Sequence, residues 1–189
     1  MIIVGINGLI DAGKSSVANI LVARFGFTIM KVASPLKNML RTFLDECGVD
    51  ADTIERMIEG DLKNVPSEHL AGQTPRWAMQ SLGTEWGRVL MGPALWIRAA
   101  VYRVRARSGR IVIDDCRYRN EAEAIREELG GQVWKIFRPG LETAEHSSER
   151  EQSEVIPDLV IDNSGTLDDL EERIAFIMLR LVHDGGQVR

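Results

Sequence analysis

The chain has 189 residues, 44% of them hydrophobic and 27% charged, with a net charge of −5. That supports one full core, is short for two, and is the ordinary composition of a soluble globular protein. The acidic balance argues against a general nucleic-acid binder, whose footprint is basic, but not against small phosphorylated ligands held by local arginines. Cys47 and Cys116 are the only cysteines and form no C-x-x-C pair. They suggest neither a disulfide framework nor a zinc site, and they fit reduced thiols in a cytoplasm. Met1-Ile2-Ile3-Val4-Gly5 lacks the basic flank of a signal peptide, and no apolar run is long enough to span a bilayer.

Ile2 to Ile6 is a short β-branched run stopped by glycine, the pattern of a buried parallel strand. Gly8-Leu9-Ile10-Asp11-Ala12-Gly13-Lys14-Ser15 follows, and from Lys14 onward Val17, Ile20 and Leu21 recur at helical spacing. A strand, then G-x-x-x-x-G-K-S, then a helix is the context of a phosphate loop. Glycines let the backbone turn its N–H groups inward, and the helix adds the positive end of its dipole. Lys14 can reach the β- and γ-phosphates of a nucleotide, and the Ser15 hydroxyl can ligate Mg²⁺. GTPases usually carry a late N-K-x-D motif, and none occurs in this chain.

Phe27 to Val32 reads as a second strand, Pro35 opens a helix through Leu44, and Asp52 to Glu59 is a short helix. Gly60 to Gly72 reads as a polar, mobile loop. Thr74-Pro75 starts a helix to about Leu90, with Thr74 as cap and Pro75 in the first turn. One stripe of it is apolar (Met79, Leu82, Trp86, Val89, Leu90) and is expected to face inward. Another is polar or small (Arg76, Gln80, Thr84, Gly87). Pro93 to Arg107 is the next helix.

Arg110 to Asp114 is a strand whose end, Asp114-Asp115-Cys116-Arg117, is two acids, a thiol and an arginine. Ligands in open α/β sheets lie at strand carboxyl ends. One of the two aspartates could hold Mg²⁺ through water or orient an acceptor as a base. Arg117 could clamp a phosphate with two parallel bonds. Cys116 reads as packing. Asn120 to Leu129 is a helix closed by Gly130-Gly131, and Gln132 to Phe137 a strand. Pro139 to Glu154 is charged and aperiodic, an exposed flap. Leu159 to Asp162 is the last strand and Leu167 to Val182 the last helix.

Alternating strands and helices predict an α/β, three-layer fold with a five-stranded parallel sheet flanked by helices. With the loop motif, that is the P-loop NTPase fold, as one domain over residues 1–189. It comprises a helical acceptor-binding region over about 34–107, a lid over about 138–154 and a frayed tail from about 184.

Seven segments together resemble the phage-type deoxynucleoside monophosphate kinases. They are Ser34-Pro35-Leu36-Lys37, Thr74-Pro75-Arg76, the run from Gln80 to Arg88, the run from Asp115 to Ala122, Arg138-Pro139-Gly140, His146-Ser147-Ser148-Glu149, and the turn from Asp162 to Thr166. The resemblance runs from Gly5 to about Leu170. Dephospho-coenzyme A kinases share the plan and a similar N-x-G-T segment, and the central L-G-T-E-W-G-R stretch pulls towards the nucleotide kinases. The resemblance implies transfer of the γ-phosphoryl group of ATP, with Mg²⁺, to a deoxynucleoside 5′-monophosphate. A dephospho-coenzyme A kinase or another small-molecule kinase is the alternative, and a nucleotide-binding regulator that transfers nothing is a third reading.

Two nucleotides meeting phosphate to phosphate need positive charge on both sides. The resemblance implies a catalytic set of Lys14, Asp115, Arg117 and Arg138, with Ser15 and Asp115 at the metal. It places ATP on Gly8, Asp11, Ala12, Gly13, Lys14, Ser15, Ser16 and Arg138, with Asn163, Gly165 and Thr166 bordering the adenine. The acceptor falls to Lys37, Arg76, Gln80, Thr84, Arg88, Trp96, Arg98, Arg117, Glu121 and Arg150. Gln80 could read a base edge, Trp96 could line the acceptor pocket, and Arg138 and Arg150 would carry charge inward as the lid closes. His146, Ser148 and Glu149 are expected to fix the lid hinge. Asn163, Gly165 and Thr166 read equally as a turn that caps the last helix. The family includes dimers, so a homodimer is an open expectation. No nucleic acid or membrane is expected as partner, and the expected location is a cytoplasm, the host's if the chain is phage-encoded.

Overall fold

The computed structural model describes residues 1–141 and 155–184. Contacts divide the chain into a sheet unit, 1–31 with 100–189, and a helical unit, 32–99.

The sheet unit holds five strands: β1 (Ile2–Asn7), β2 (Phe27–Met30), β3 (Arg110–Ile113), β4 (Gln132–Phe137) and β5 (Leu159–Asp162). All pair in parallel in the order β2-β3-β1-β4-β5, which puts β1 in the centre. The register pairs Gly5 with Ile113 and Asn7 with Lys135, so the ends of β3 and β4 flank the loop that leaves β1. Val4, Ile6, Val112, Trp134, Ile136 and Ile161 are fully or almost fully buried, as strands covered on both faces require. Helix α1 (Lys14–Phe25) buries Val17, Ala18, Ile20 and Leu21, and ends at Gly26. The last helix, Leu167–Asp184, buries Leu170, Ile174 and Met178 in the same core.

In the helical unit, α2 (Ser34–Glu46) buries Leu36, Leu40 and Leu44. Helix α3 (Ala51–Ile58) is capped by the Asp50 carboxylate, which accepts from the Thr53 N–H at 3.0 Å. That bond holds the Asp50 carboxyl below its ordinary value. The segment read as a mobile loop is instead two tight turns, Asp61–Asn64 and Glu68–Leu70. Ser67 N–H donates to Gln73 O and Gly72 N–H to Ser67 O, at 3.1 and 2.9 Å. The Arg56 guanidinium grips both oxygens of Asp61. Polar composition here serves local hydrogen bonds, which periodicity does not report.

The long helix from Thr74 changes form midway. α4 (Pro75–Ser81) starts as expected, with the Thr74 hydroxyl accepting from Trp77 N–H at 3.1 Å. Leu82–Met91 then winds in wider turns, with Gly92 N–H donating to Gly87 O five residues back. Bonds of that span turn the chain less per residue than α-helical ones. The expected apolar stripe therefore comes apart: Met79 is buried, Trp86 half-buried, and Val89 and Leu90 are 72% and 75% exposed. Helix α5 (Leu95–Arg105) begins in this unit and ends in the sheet unit. In the sheet unit, α6 (Arg119–Glu123) also gives way to wide turns, Ala124–Glu128, before Gly130. The Leu167–Asp184 helix is α7.

Candidate phosphate-loop active site

The loop between β1 and α1 is shaped by three unusual backbone positions. Gly8 and Gly13 have φ of +153° and +99°, and Asp11 sits at +62°. At Gly13 that angle excludes almost any side chain, and a Cβ would also lie 2.3 Å from Asn163 Nδ2. Gly13 caps α1, so Ser15 and Ser16 fall in its first turn, where N–H groups are unsatisfied by the helix. Ser15 is exposed and Ser16 half-buried.

The Lys14 ammonium folds back over the loop and donates to the carbonyls of Gly8 and Leu9 at 2.6 and 2.9 Å. Burial pushes its pKa below the ordinary 10.5; the charges of Asp115, Asp11 and Asp114 pull it up, and Arg117 pushes it down. All four groups thus lie within electrostatic reach of one amine. An anion entering the loop would raise that pKa again and would replace the two carbonyl contacts.

Beside the loop, β3 ends at Ile113, and the chain continues through Asp114, Asp115 and Cys116. Cys116 N–H donates to Ile6 O at 2.8 Å, continuing the pairing to β1. The buried amide of Asn7 donates to Cys116 O, also at 2.8 Å. Sequence reading overlooked Asn7; an Asn closing an otherwise apolar strand, just before the loop, is the signal that could have found it. The Cys116 thiol is buried, and desolvation drives its pKa far up, so it packs and does not attack.

Asp115 Oδ2 accepts from Arg117 Nε at 2.7 Å. Its Oδ1 is buried and has no hydrogen-bond partner among the described residues. Such an atom is costly unless a water or a ligand completes it. Glu121, expected at the acceptor, is buried, with its carboxylate accepting from the N–H groups of Arg117 and Tyr118 at 2.8 and 3.2 Å. It fixes the backbone that presents Arg117 and starts α6.

Two further residues close on the loop from the other side. Arg138, just beyond β4, reaches Asp11 O at 3.5 Å, and Asn163, just beyond β5, donates to Ala12 O at 2.8 Å. A cavity of about 340 Å³ opens between the loop and the end of β4, lined by Asn7, Gly8, Leu9, Phe137 and Arg138 among others. Thr166 and Asp169 exchange side-chain and main-chain hydrogen bonds of 2.8–3.2 Å, a cap for α7, and a Cβ on Gly165 would lie 2.5 Å from Asp169. The turn containing Asn163, Gly165 and Thr166 is thus a helix cap whose Asn touches the loop.

Lys14, Ser15, Asp115, Arg117, Arg138 and Asn163 are therefore gathered in the sheet unit. Lys37, Arg76, Gln80, Thr84, Arg88, Trp96 and Arg98 belong wholly to the helical unit. There Arg76 is exposed, with Nε donating to Asn64 Oδ1 at 2.6 Å. Gln80, Thr84 and Arg98 are exposed and Arg88 is half-buried. Lys37 donates to both carboxylate oxygens of Glu59 at 2.8 Å. Trp96 is 6% exposed; its indole N–H donates to Gly83 O at 2.9 Å, and its ring fills the space a Gly87 Cβ would need. It packs the helix rather than presenting a free face. Arg150 and His146-Ser147-Ser148-Glu149 lie outside the described residues.

No family model matches the chain. A protein of Acanthamoeba polyphaga mimivirus named "Putative deoxynucleotide monophosphate kinase" is 30% identical over 193 residues, 92% of this chain and 94% of the relative. Two solved structures share the fold over nearly their whole length. Dephospho-CoA kinase from Campylobacter jejuni matches with a TM-score of 0.50 at 15% identity, covering 98% of this chain and all of that one. Shikimate kinase from Aquifex aeolicus matches with a TM-score of 0.54 at 12% identity, covering 97% and 98%. The five-stranded parallel sheet and the loop form the fold these two structures share, and the mimivirus relative makes this chain a kinase of the P-loop type, acting on a nucleotide or another small molecule. It belongs to the deoxynucleotide monophosphate kinase family.

Proposed function

We propose that the chain transfers the γ-phosphoryl group of ATP to a deoxynucleoside 5′-monophosphate, giving the diphosphate and ADP. A bond forms between an acceptor phosphate oxygen and the γ-phosphorus, and the bond from that phosphorus to the β,γ-bridging oxygen breaks. The observation that carries this reading is the Asp115–Arg117 pair at the end of the strand beside β1, with one carboxylate oxygen buried and uncompleted. The strongest support for the acceptor class is the mimivirus relative.

The donor phosphates suit the loop from Gly8 to Ser16, with Lys14 at the β- and γ-oxygens. The residues present also fit Mg²⁺. A buried carboxylate oxygen on Asp115 and an exposed hydroxyl on Ser15 are hard oxygen donors. No cluster of three metal-ligating side chains occurs among the described residues. That suits an ion that keeps waters and takes its remaining ligands from phosphates. When bound, Mg²⁺ would neutralise charge on the β- and γ-oxygens.

An acceptor monophosphate has a second pKa of about 6 and is already ionised at pH 7. It needs no general base. Asp115 therefore serves by orienting Arg117 and offering Oδ1, and Arg117 by offsetting charge on the two phosphates as they approach. Arg138 adds positive charge on the loop's other flank. On the helical unit, Arg76, Arg88 and Arg98 suit the acceptor phosphate and Gln80 a base edge, while Lys37 acts through its pair with Glu59.

An ADP-release assay with a panel of acceptors tests the proposal. Release that depends on dGMP, dTMP, dAMP or dCMP is expected. Release with dephospho-coenzyme A or shikimate alone would redirect it to another small-molecule kinase. Absence of acceptor-dependent release would leave a nucleotide holder.

A further inference from the structure

We propose that Asn163 is a positioning residue for the phosphoryl donor, acting on the phosphate loop's backbone rather than on the donor's base. Its side-chain N–H₂ donates to Ala12 O at 2.8 Å. Ala12 C=O and Gly13 N–H belong to one planar trans peptide, so they point in opposite directions. Fixing the carbonyl on Asn163 therefore aims the Gly13 N–H away from Asn163. An anion-binding nest needs its N–H groups inward and its carbonyls satisfied outside.

Asn163 is itself held. Its main-chain N–H donates to Phe137 O at 2.7 Å, tying it to the end of β4. The preceding carboxylate, Asp162, accepts from Ser164 N–H at 2.9 Å and closes the turn. Its fit against the loop is close enough that only a glycine can stand at position 13. The side-chain nitrogen of Asn163 is thus engaged with the loop. This role rests on the donor half of the proposed reaction and is indifferent to the acceptor.

The test uses Asn163→Asp, which keeps the shape but sets an acceptor against the Ala12 carbonyl, and Asn163→Ala, which removes the donor. Binding of inorganic tripolyphosphate and of ATP is measured by calorimetry with Mg²⁺ present, and thermal unfolding is followed beside it. Loss of one hydrogen bond to a loop carbonyl should weaken both ligands by the same factor, about tenfold, and more for Asp than for Ala. Where an acceptor is in hand, KM for ATP should rise while KM for the acceptor stays. A loss of ATP affinity with tripolyphosphate unaffected would make Asn163 a base contact and overturn the proposal, as would no change in either ligand. If Asn163→Asp fails to fold, Asn163→Ala decides alone. Because tripolyphosphate carries neither base nor acceptor, a failed acceptor panel leaves this result interpretable.

Discussion

The sheet unit and the helical unit carry their candidate groups in different ways. In the sheet unit the candidate surface is backbone: loop amides set by Gly8, Asp11 and Gly13, with side chains just beyond β4 and β5 touching the loop. In the helical unit the candidates are side chains alone, carried on a helix that changes its winding at Leu82. Backbone geometry is all-or-none, whereas a helix face can be tuned one residue at a time. Point changes should therefore act on chemistry in the first unit and on packing or selectivity in the second. Lys14→Ala gives the largest expected effect, a fall in turnover of about 10²–10³ or more. Burial disfavours the charged form of its half-buried ammonium, which offsets the two hydrogen bonds it gives the loop, so the melting temperature should change by only a few degrees. Steady-state rates and a thermal scan check both halves; retained turnover would break the contrast at its strongest point.

Arg117 comes next. Arg117→Ala removes a guanidinium and leaves Asp115 with neither oxygen bonded through that contact. A loss of about tenfold to hundredfold in kcat/KM for the acceptor is expected, with KM for ATP little changed. A defect confined to ATP would move Arg117 to the donor side.

Gly87→Ala probes the other region. A Cβ there would lie 2.4–2.6 Å from the buried indole of Trp96, which is anchored to Gly83 O. Overpacking of this kind costs about 1–3 kcal/mol, readable by denaturant unfolding, while the phosphate loop keeps its affinity for tripolyphosphate. Loss of tripolyphosphate binding in the folded variant would show that the two regions are not separable in this way.

A titration sharpens the first region without a substitution. Desolvation favours the neutral amine, so the Lys14 pKa in the free protein should lie below 10.5. A folded pKa below the unfolded one means this group opposes folding at neutral pH, and that the penalty fades as pH rises through the folded pKa. NMR of ¹³C-methylated lysines should find the Lys14 amine displaced downward, and its shift should diminish when tripolyphosphate is added. An ordinary value in the free protein would contradict the burial seen around the loop.

What could be read beforehand follows the same division. All five strands and the loop were legible, because period, β-branched runs and the Gly8–Ser15 pattern are local and the pairing rules for parallel sheets are few. Asp115 and Arg117 were legible as a strand end, but which aspartate pairs with Arg117 was not, since that depends on the direction of one turn. Glu121 and Trp96 show the limit. Their types suit ligand contact, but Glu121 satisfies two backbone N–H groups and Trp96 donates to a main-chain carbonyl. Neither duty leaves a mark in spacing. Asn163 went the other way: its turn was expected, but its grip on Ala12 joins residues 151 apart in the chain.

The wide winding itself can be tested by a small effect. Were Leu82–Met91 an ordinary α-helix, Leu90 would continue the buried stripe of Met79. A polar residue there would then cost roughly 2–5 kcal/mol, as core truncations do. In the structure Leu90 is 75% exposed while Met79 is buried. Leu90→Ser should therefore change stability by less than about 0.5 kcal/mol, whereas Met79→Ala should cost roughly 2–5 kcal/mol. Denaturant midpoints of the two variants decide the matter together, because each controls for the other's effect on the same helix. Comparable losses would put Leu90 back in the core, and with it the straight helix that the apolar spacing suggested.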